Sequence, residues 1–516
     1  MEEIGILFSS LWSLISIKNI VIVSLSSIGG ILIGAMPGLT STMGIALLSG
    51  ITYGMDSDIA LLVLIGIYVG GTYGGSISAI LIGIPGTGSA ASTVADGHAL
   101  AVKGEGRLAL SLATIASFIG TLFGMICLAV FAPMLQGIAL KFTSAEYCLL
   151  AVFGVTICGS LTSGSEPIKG WIAGFLGLGL SCVGYEGIYS YPRFTYGIVG
   201  LFGGIAMVPA LIGLFGIPSV LSELAQKDAG AKIAEVGQSG KYSVLTMLRK
   251  YIGLVLRSGL IGTFIGAVPG VGEDIAAWLS YDFAKRTSKN PKEFGKGAYA
   301  GVIAAETANN ACIGGAMIPL LSLAVPGSAP TAVLLGALML HGIRPGPMLQ
   351  FDAPNFVFEM CAMLILAAFC MRIFGWMICQ VAPKLINVPV FILMPIVAAL
   401  SVIGSFAINV NLFDVYIMLF VGVAGYFMAK NKYPAAPAVL GLILGPMCDE
   451  NLRRFLMSTN GSFAGFVSSG ISIVLLILIA LSFLSQMDFA KRWLANTVSR
   501  MGGTVRSMSS VIRKSK

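Results

Sequence analysis

The chain has 516 residues, of which 56% are hydrophobic and only 10% are charged. A soluble globular protein has roughly a quarter of its residues charged, so this composition excludes a chain whose surface faces water on all sides. The formal net charge of +8 comes from a few loops and the C-terminal tail. Such a distribution indicates membrane topology and argues against a face that binds nucleic acid.

Apolar runs recur along the chain from Ile20 to Leu484. Their lengths predict an all-α integral membrane protein with about 10–12 hydrophobic helical segments. The N-terminus begins with Met1 and two glutamates and lacks the basic region and cleavage site of a removable signal peptide, so we expect the first apolar stretch to remain in the mature protein. The cysteines lie mostly in apolar segments without a CxxC pair, which favours buried, unpaired thiols over a metal site.

Two stretches rich in lysine and arginine divide the chain, and the positive-inside rule predicts that both are cytoplasmic. We interpret the basic tail as a solvated end that touches anionic lipid, and the alternative is a specific partner site. We predict four parts: a first membrane repeat at 1–221, a basic cytoplasmic linker at 222–250, a second membrane repeat with C-terminal helices at 251–486, and a basic cytoplasmic tail at 487–516.

A glycine and proline pattern occurs once in each half of the chain. The segment Gly30–Gly38 reads GILIGAMPG, and Gly262–Gly270 reads GTFIGAVPG. A single match would be weak evidence, because glycine and proline are common in membrane helices. A second pair of elements follows in the same order, with a one-residue difference in spacing, which predicts an internal repeat. This second pair consists of Gly74-Gly75 with Pro85-Gly86 and of Gly314-Gly315 with Pro326-Gly327.

Loop charges indicate that the two copies of the repeat have opposite orientations. The loop Gly50–Asp58 has no basic residue, whereas Asp282–Lys296 is strongly basic. The loops after the second elements reverse this bias, since Asp96–Arg107 is more basic than His341–Pro354. The charge rule therefore predicts an inverted repeat, a common basis of secondary transporters.

The repeated proline-glycine pairs are predicted to interrupt helices inside the membrane. In Tyr251–Tyr281 the break at Pro269-Gly270 leaves arms of about 18 and 11 residues, whereas a full crossing needs about 20, so we expect a re-entrant hairpin. Backbone groups freed at such a break are tolerated only if they are buried in protein or line a polar cavity. The breaks are therefore the expected substrate site.

Small polar residues lie beside each break, and helices that start there direct their positive ends at the site, which suits a carboxylate. The alternative is that the glycines only allow close packing of helices. The predicted substrate-binding residues are Gly38, Thr40, Ser41, Pro85, Gly86, Thr87, Ser89, Gly270, Gly272, Pro326, Gly327 and Ser328.

A carboxylate and two amides interrupt a second apolar stretch, at Glu306, Asn309 and Asn310. Oxygen ligands of this kind suit a hard cation, so we predict that these residues bind Na⁺ or a proton that drives transport. The alternative is that they are polar contacts between helices. Glu273 and Asp274 follow a break directly and are interpreted either as cation ligands or as acids that favour the first turn of a helix.

Two other classes of function remain possible. A channel would share the broken helices but would pass ions without accumulating a solute, and a membrane-embedded enzyme could use the acids near the breaks. The sequence contains no Walker A, GxSxG or HExxH motif, and its two histidines, His98 and His341, have no histidine or cysteine close by. We therefore expect no enzyme, no cofactor and no metal other than a coupling Na⁺.

From Gly30 to about Gly461 the sequence resembles the large membrane subunit of the tripartite tricarboxylate transporters. The resemblance rests on GILIGAMPGLTSTMG (Gly30–Gly44), GIYVGGTYGGSISAILIGIPG (Gly66–Gly86), DGHALAVKGEG (Asp96–Gly106), GTFIGAVPGVGEDIAAWLSY (Gly262–Tyr281), ETANNACIGGAMIPLLSLAVPGS (Glu306–Ser328) and YPAAPAVLGLILGP (Tyr433–Pro446).

The resemblance implies a multi-pass permease of the bacterial inner membrane. Such a permease works with a small membrane subunit and a periplasmic solute-binding protein, and it imports carboxylates such as citrate by an ion gradient. The sequence departs from the family pattern at Gly83, Ala99, Ala300 and Ala305, which affects the expected substrate and coupling ion more than the expected transport.

Overall fold

The described part of the polypeptide is mostly helical, as expected where the backbone must satisfy its own hydrogen-bonding groups in hydrocarbon. A computed structural model describes residues 2–36, 38–164, 166–225, 244–385, 390–484 and 486. Within these ranges seven helices are long and apolar enough to cross a membrane, and five shorter helices are apolar. Together they make twelve apolar segments, so the predicted all-α membrane class is confirmed.

The first half of the chain contains two helix breaks, one between the second and third helices and one between the fourth and fifth. The fifth and sixth helices are joined by a short π-helical segment, Ala101–Glu105. The helices are α1 (Glu2–Leu14), α2 (Ile17–Ala35), α3 (Ser41–Ile51), α4 (Ser57–Ile82), α5 (Ala91–Leu100) and α6 (Gly106–Ala139).

The middle of the chain contains four helices and a two-residue antiparallel strand pair. The elements are α7 (Ser144–Thr162), α8 (Pro167–Ser181), β1 (Gly184–Tyr185), β2 (Pro192–Arg193), α9 (Met207–Ala225) and α10 (Val244–Lys250).

The second half repeats the pattern of two broken helix pairs followed by a long helix, and four further helices end the described chain. The helices are α11 (Ile252–Gly266), α12 (Gly272–Thr287), α13 (Tyr299–Leu323), α14 (Ala329–Leu340), α15 (Leu349–Asp352), α16 (Phe356–Leu385), α17 (Val390–Asn409), α18 (Leu412–Lys430), α19 (Ala435–Ser458) and α20 (Gly470–Leu484). Short 3-10 helices lie at Thr52–Gly54, Val199–Leu201, Pro291–Glu293 and Phe463–Val467.

Some segments predicted as loops are helical. The hairpin arms α11 and α12 have 15 and 16 residues, so the second arm continues beyond Tyr281 into the segment Asp282–Lys296, which was expected to be a loop. The predicted loop Asp96–Arg107 is also largely helical, and α9 continues to Ala225 inside the predicted linker. Residues 226–243 of the linker and the whole tail at 487–516 lie outside the described residues.

Close backbone contacts occur at equivalent positions in the two halves. A Cβ atom at Gly30 would overlap the carbonyl oxygen of Ile67, and one at Gly262 would overlap that of Ala308. These helices therefore approach as closely as only glycine allows, which explains the repeated glycine pattern.

Two equivalent backbone hydrogen bonds define the register of the repeat. The amide of Gly86 donates to Gly75 O at 3.4 Å, and the amide of Gly327 donates to Ala316 O at 3.4 Å. Gly75 thus corresponds to Ala316 and Gly74 to Gly315. The pairing of Gly74-Gly75 with Gly314-Gly315 expected from the sequence is wrong by one residue, and the corrected register removes the spacing difference.

The two halves are interlocked through their long helices. Helix α6 of the first half packs along α13 of the second half, and α16 packs along α4. Helices α4 and α13 form the buried centre, since nearly every side chain in them is shielded from solvent. Each half therefore completes the core of the other.

Connections between helices lie at two ends of the helix assembly. At one end Lys103 Nζ donates to Lys296 O at 2.5 Å, and at the other Ser57 Oγ donates to His341 O at 3.3 Å. These pairs bring together the loops that the charge rule assigns to one side. Which end faces the cytoplasm stays a prediction, and so does the inversion of the repeat relative to the membrane.

Candidate functional site

Each break contains a residue in the left-handed backbone region. These residues are Gly38 (φ 84°), Gly83 (φ 71°), Gly270 (φ 70°) and Ala324 (φ 57°). Glycine adopts this conformation without steric cost, whereas Ala324 holds it at a cost of about 1 kcal/mol or more. The pairs Gly38 with Gly270 and Gly83 with Ala324 are equivalent in the repeat, so the sequence dictates the same turn twice.

Backbone hydrogen bonds join the third and fourth breaks. The amide of Gly270 donates to Pro326 O, and the amide of Gly272 donates to Gly327 O, both at 3.1 Å. These two amides were expected to be free for a carboxylate. They are instead engaged by carbonyl groups of the neighbouring break, which fixes the position of the α11–α12 hairpin.

Three of the four breaks, together with the first turn of α14 that follows the fourth break, meet at one cavity of about 310 Å³. It lies where α3, α12 and α14 begin, because Ser41, Gly272 and Ala329 all line it. Hydroxyl groups dominate its polar surface, and its described lining contains Glu273 and Asp274 but no lysine, arginine or histidine. The lining residues are Thr40, Ser41, Thr42, Thr72, Thr87, Gly88, Ser89, Thr162, Phe215, Gly270, Val271, Gly272, Glu273, Asp274, Ala329, Pro330, Pro434, Ala435 and Ala436.

Six of the predicted substrate-binding residues line this cavity. They come from the first three breaks and are Thr40, Ser41, Thr87, Ser89, Gly270 and Gly272.

The other predicted substrate residues lie behind the cavity surface. A Cβ atom at Gly86 would overlap Gly34 O, and one at Gly327 would overlap Gly266 O, so both glycines serve close packing. Gly38 lies against the carboxylate of Glu223. Pro85, Pro326 and Ser328 are likewise not part of the described lining.

Two predicted hydroxyls already have a structural role as helix caps. Thr40 accepts a hydrogen bond from the amide of Met43 at 3.2 Å, and Ser328 accepts one from Thr331 at 3.4 Å. A capping hydroxyl still has its own proton to donate. Thr40 can therefore cap α3 and donate into the cavity at the same time.

Glu273 belongs to a buried hydrogen-bond chain that joins the two halves. The hydroxyl of Tyr68 on α4 donates to Glu273 Oε1 and lies 3.1 Å from Ser328 Oγ. Tyr68 is fully buried. These hydrogen bonds therefore hold the first turn of α12, the centre of α4 and the fourth break in fixed positions relative to one another.

Asp274 differs from its neighbour because its carboxylate accepts no hydrogen bond and forms no ion pair within the described residues. A Cβ atom at Gly88 would collide with Asp274 Oδ2. The absence of a side chain at Gly88 thus leaves the space in which the Asp274 carboxylate lies, between the second and third breaks.

The predicted cation residues form a separate buried cluster on α13. Glu306 is fully buried, and its carboxylate accepts hydrogen bonds from Ser76 Oγ at 2.6 Å, from Ser117 Oγ at 2.9 Å and from Thr93 Oγ1. These hydroxyls come from α4, α6 and α5, so the cluster joins both halves. Ser76, Thr93 and Ser117 were not predicted as site residues, because partners so far apart in sequence leave no local pattern.

The two asparagines of this cluster keep unused hydrogen-bonding capacity. Asn310 Nδ2 donates to Glu306 O at 3.0 Å, while Asn310 Oδ1 and both polar atoms of the Asn309 side chain have no partner in the described structure. Unpaired polar atoms at this depth are costly and point to an absent ligand. In the corrected register Asn309 corresponds to Tyr68, a signal that could have identified Tyr68 from the sequence.

A second cavity of about 610 Å³ lies beyond the C-terminal half of α14. Its lining includes Arg193 and Arg344, and Arg193 pairs with Asp449 at 3.0 Å. Of the residues that form the four breaks, its lining includes only Ala324. The first cavity is therefore the candidate site, because only there do the repeated elements converge.

The broken helices, the shared central cavity and the apolar spans define a multi-pass helical membrane protein of the transporter class. Residues 20–440 match the family described as "Tripartite tricarboxylate transporter TctA family", and the chain belongs to that family. The resemblance inferred from the sequence motifs is thereby confirmed.

Two similar proteins come from Agrobacterium vitis, and both are described as uncharacterized. One, a 52.8 kDa protein in the TAR-I ttuC' 3' region, is 35% identical over 447 residues, which cover 87% of this chain and 89% of the relative. The other, in the TAR-II ttuC' 3' region, is 35% identical over 215 residues, which cover 42% of this chain and 89% of the relative. No solved structure matches the chain.

Proposed function

We propose that this protein is the permease subunit of a secondary active transporter that imports a small organic anion, a di- or tricarboxylate such as citrate. Membership of a tricarboxylate transporter family supports the transporter class over a membrane-embedded enzyme. The observation that carries the proposal is the convergence of three helix breaks, and of the helix that follows the fourth break, on one cavity of about 310 Å³. That volume lies at the lower end of the roughly 300–1,000 Å³ found for small-molecule sites.

The anion is recognised by hydroxyl groups and by helix N-termini. Thr40 and Ser41 lie at the start of α3, and Thr87 and Ser89 lie just before α5. Free amides and the positive end of a helix favour a carboxylate there. Gly38, Pro85, Gly86, Pro326, Gly327 and Ser328 contribute by holding the breaks in position.

A sodium or proton gradient drives the import, and Glu306, Asn309 and Asn310 contribute to the binding of the coupling cation. Support comes from the buried carboxylate without a basic partner and from the unpaired amide oxygens on the same helix. Alternate exposure of the central site to the two sides then moves anion and cation together.

Two partner proteins complete the transporter. We propose a small membrane subunit and an extracytoplasmic solute-binding protein, in the bacterial inner membrane, with no nucleic acid and no cofactor. The term "tripartite" in the family description supports this arrangement.

Uptake of a panel of labelled carboxylates into vesicles tests the proposal. The vesicles contain this protein and the two candidate partners, and uptake is measured with and without Na⁺ and proton gradients. Accumulation of one acid above its external concentration supports a secondary transporter and identifies the substrate. Equilibration without accumulation favours a channel, and turnover of the acid by the purified protein favours an enzyme.

A further inference from the structure

The charge of the central cavity is opposite to what a bare organic anion requires. Glu273 and Asp274 line it, and Glu223 lies directly behind the first break at Gly38. No basic side chain appears in its described lining. Carboxylates in a low-dielectric site repel another carboxylate strongly, so an anion that enters alone would bind poorly.

Asp274 lies in the first turn of α12, where the positive end of the helix favours a carboxylate, but its side chain has no partner within the described residues. It caps no backbone amide, forms no ion pair, and faces the cavity beside Gly88. The nearest ion pair on the same helix joins Asp282 to Arg286, well away from the cavity. An unpartnered carboxylate that faces a cavity is available as an oxygen ligand for a hard cation.

Two hydroxyls in the lining of the same cavity also lack partners. Ser41 and Thr42 are 7% and 6% exposed, line the cavity, and form no side-chain hydrogen bond in the described structure. Unpaired polar side chains that are more than nine-tenths buried indicate a ligand that is held between them and the opposite wall.

The unpaired hydroxyls and the carboxylates occupy equivalent positions in the two copies of the repeat. The first break places Ser41 and Thr42 where the third break places Glu273 and Asp274, counted from the shared proline-glycine pair. The first break thus offers hydroxyl donors at the N-terminus of α3, and the equivalent third break offers carboxylate oxygens at the start of α12. The first set suits a carboxylate ligand, and the second suits a hard cation.

We infer that the anion enters the cavity as an ion pair with a hard metal cation. Asp274, assisted by Glu273, holds the cation, and the hydroxyls at Ser41 and Thr42 with the amide end of α3 hold the carboxylate. This inference rests on the proposed function and adds a cation position distinct from the Glu306 cluster. The cation cancels the repulsion between the substrate and the carboxylates of Glu273 and Asp274, so the anion binds well only after the cation has bound.

Thermal unfolding of the purified full-length protein tests the cation position without any substrate. The midpoint is followed while NaCl or MgCl₂ replaces choline chloride at constant ionic strength and constant pH. The wild type is expected to show a saturable rise with Na⁺ or with Mg²⁺, and the two arms distinguish the cations. Asp274→Asn is expected to weaken the apparent cation affinity by about tenfold or more, since a contact with a charged group exceeds the free energy of a tenfold change.

Asp282→Asn is the matched control, because it removes a carboxylate from the same helix outside the cavity and should leave the cation response unchanged. Gly88→Ala is a second variant, because a methyl group there displaces the Asp274 carboxylate; it too should weaken the cation response. An equal response in the wild type and Asp274→Asn, or no response to either metal in the wild type, overturns the inference.

Citrate is then added in each salt. Stabilisation by citrate only when the metal is present supports the shared cavity, and equal stabilisation in choline chloride overturns it. Failure of the transport proposal gives a different result, namely no uptake of any carboxylate in vesicles. A cation response lost in Asp274→Asn would remain valid in that case, so the two failures are separable.

Discussion

Asp96 was predicted to lie in a loop, but it is buried, and its carboxylate joins the two halves of the protein by hydrogen bonds. Its side chain is fully buried at the middle of α5. Oδ1 accepts hydrogen bonds from the amides of Gly295, Gly297 and Ala298, each at 2.8 Å, and Oδ2 accepts one from Tyr281 at 2.9 Å. No local sequence pattern predicts this arrangement, because the donors lie about two hundred residues away.

Replacement of Asp96 by Asn is expected to destabilise the protein. The amide keeps the size of the side chain but removes the charge, and one of its two polar ends can no longer accept. Hydrogen bonds to a charged group contribute about 1.5–3 kcal/mol each, so we expect a loss of roughly 3 kcal/mol in the free energy of unfolding.

Thermal unfolding in detergent measures this loss. Tyr281→Phe removes only one of the four hydrogen bonds and serves as the control, with an expected loss of about 1 kcal/mol. Equal unfolding midpoints for Asp96→Asn and the wild type would show that these hydrogen bonds contribute little to the stability of the protein.

Asn310→Leu tests the cation role proposed for the α13 cluster. Leucine removes the unpaired Oδ1 atom from the interior, so the variant should express normally and lose ion-dependent uptake. Asn431→Leu is the matched control, because Asn431 Nδ2 also donates to a carbonyl four residues earlier, at 2.8 Å, but on an exposed helix end. Uptake by Asn310→Leu at the wild-type level would refute the assignment.

At the scale of helices, the sequence predicted where the breaks lie but not which of their residues line the cavity. The proline-glycine pairs located all four interruptions, because only a few residue types permit such turns. The pattern could not separate glycines that line a cavity from glycines that pack against backbone. Gly270 lines the cavity and Gly86 does not, although both follow a proline.

The packing glycines Gly86 and Gly327 should respond alike to substitution because they are equivalent in the repeat. In each, an added methyl group overlaps a backbone carbonyl oxygen, which cannot move aside as a flexible side chain can. We expect Gly86→Ala and Gly327→Ala each to cost about 3 kcal/mol and to lower the yield of monodisperse protein. Gly179→Ala is the control, since nothing lies within 4 Å of its added atom. A large effect at only one of the pair would argue against their equivalence.

For the molecule as a whole, composition and loop charge predicted more than local patterns did. The shortage of charge indicated a membrane protein, and the predicted pairing of loops agrees with the contacts between Lys103 and Lys296 and between Ser57 and His341. The interlocking of α6 with α13 and of α16 with α4 was not predicted. Such contacts depend on the shapes of two distant helices, which no short stretch of sequence encodes.

Accessibility of single cysteines from each side of the membrane tests the orientation that loop charge predicts. Met55 and Lys292 are both exposed and belong to the loops at the two ends. In a variant whose nine native cysteines are replaced and which retains uptake, Met55→Cys should react with an impermeant maleimide in intact cells. Lys292→Cys should react only after permeabilisation, because lysine and arginine remain on the cytoplasmic side. Reaction of both cysteines in intact cells would refute the prediction that the two loops lie on opposite sides of the membrane. Reaction of only Lys292→Cys in intact cells would reverse the predicted orientation and preserve the inverted repeat.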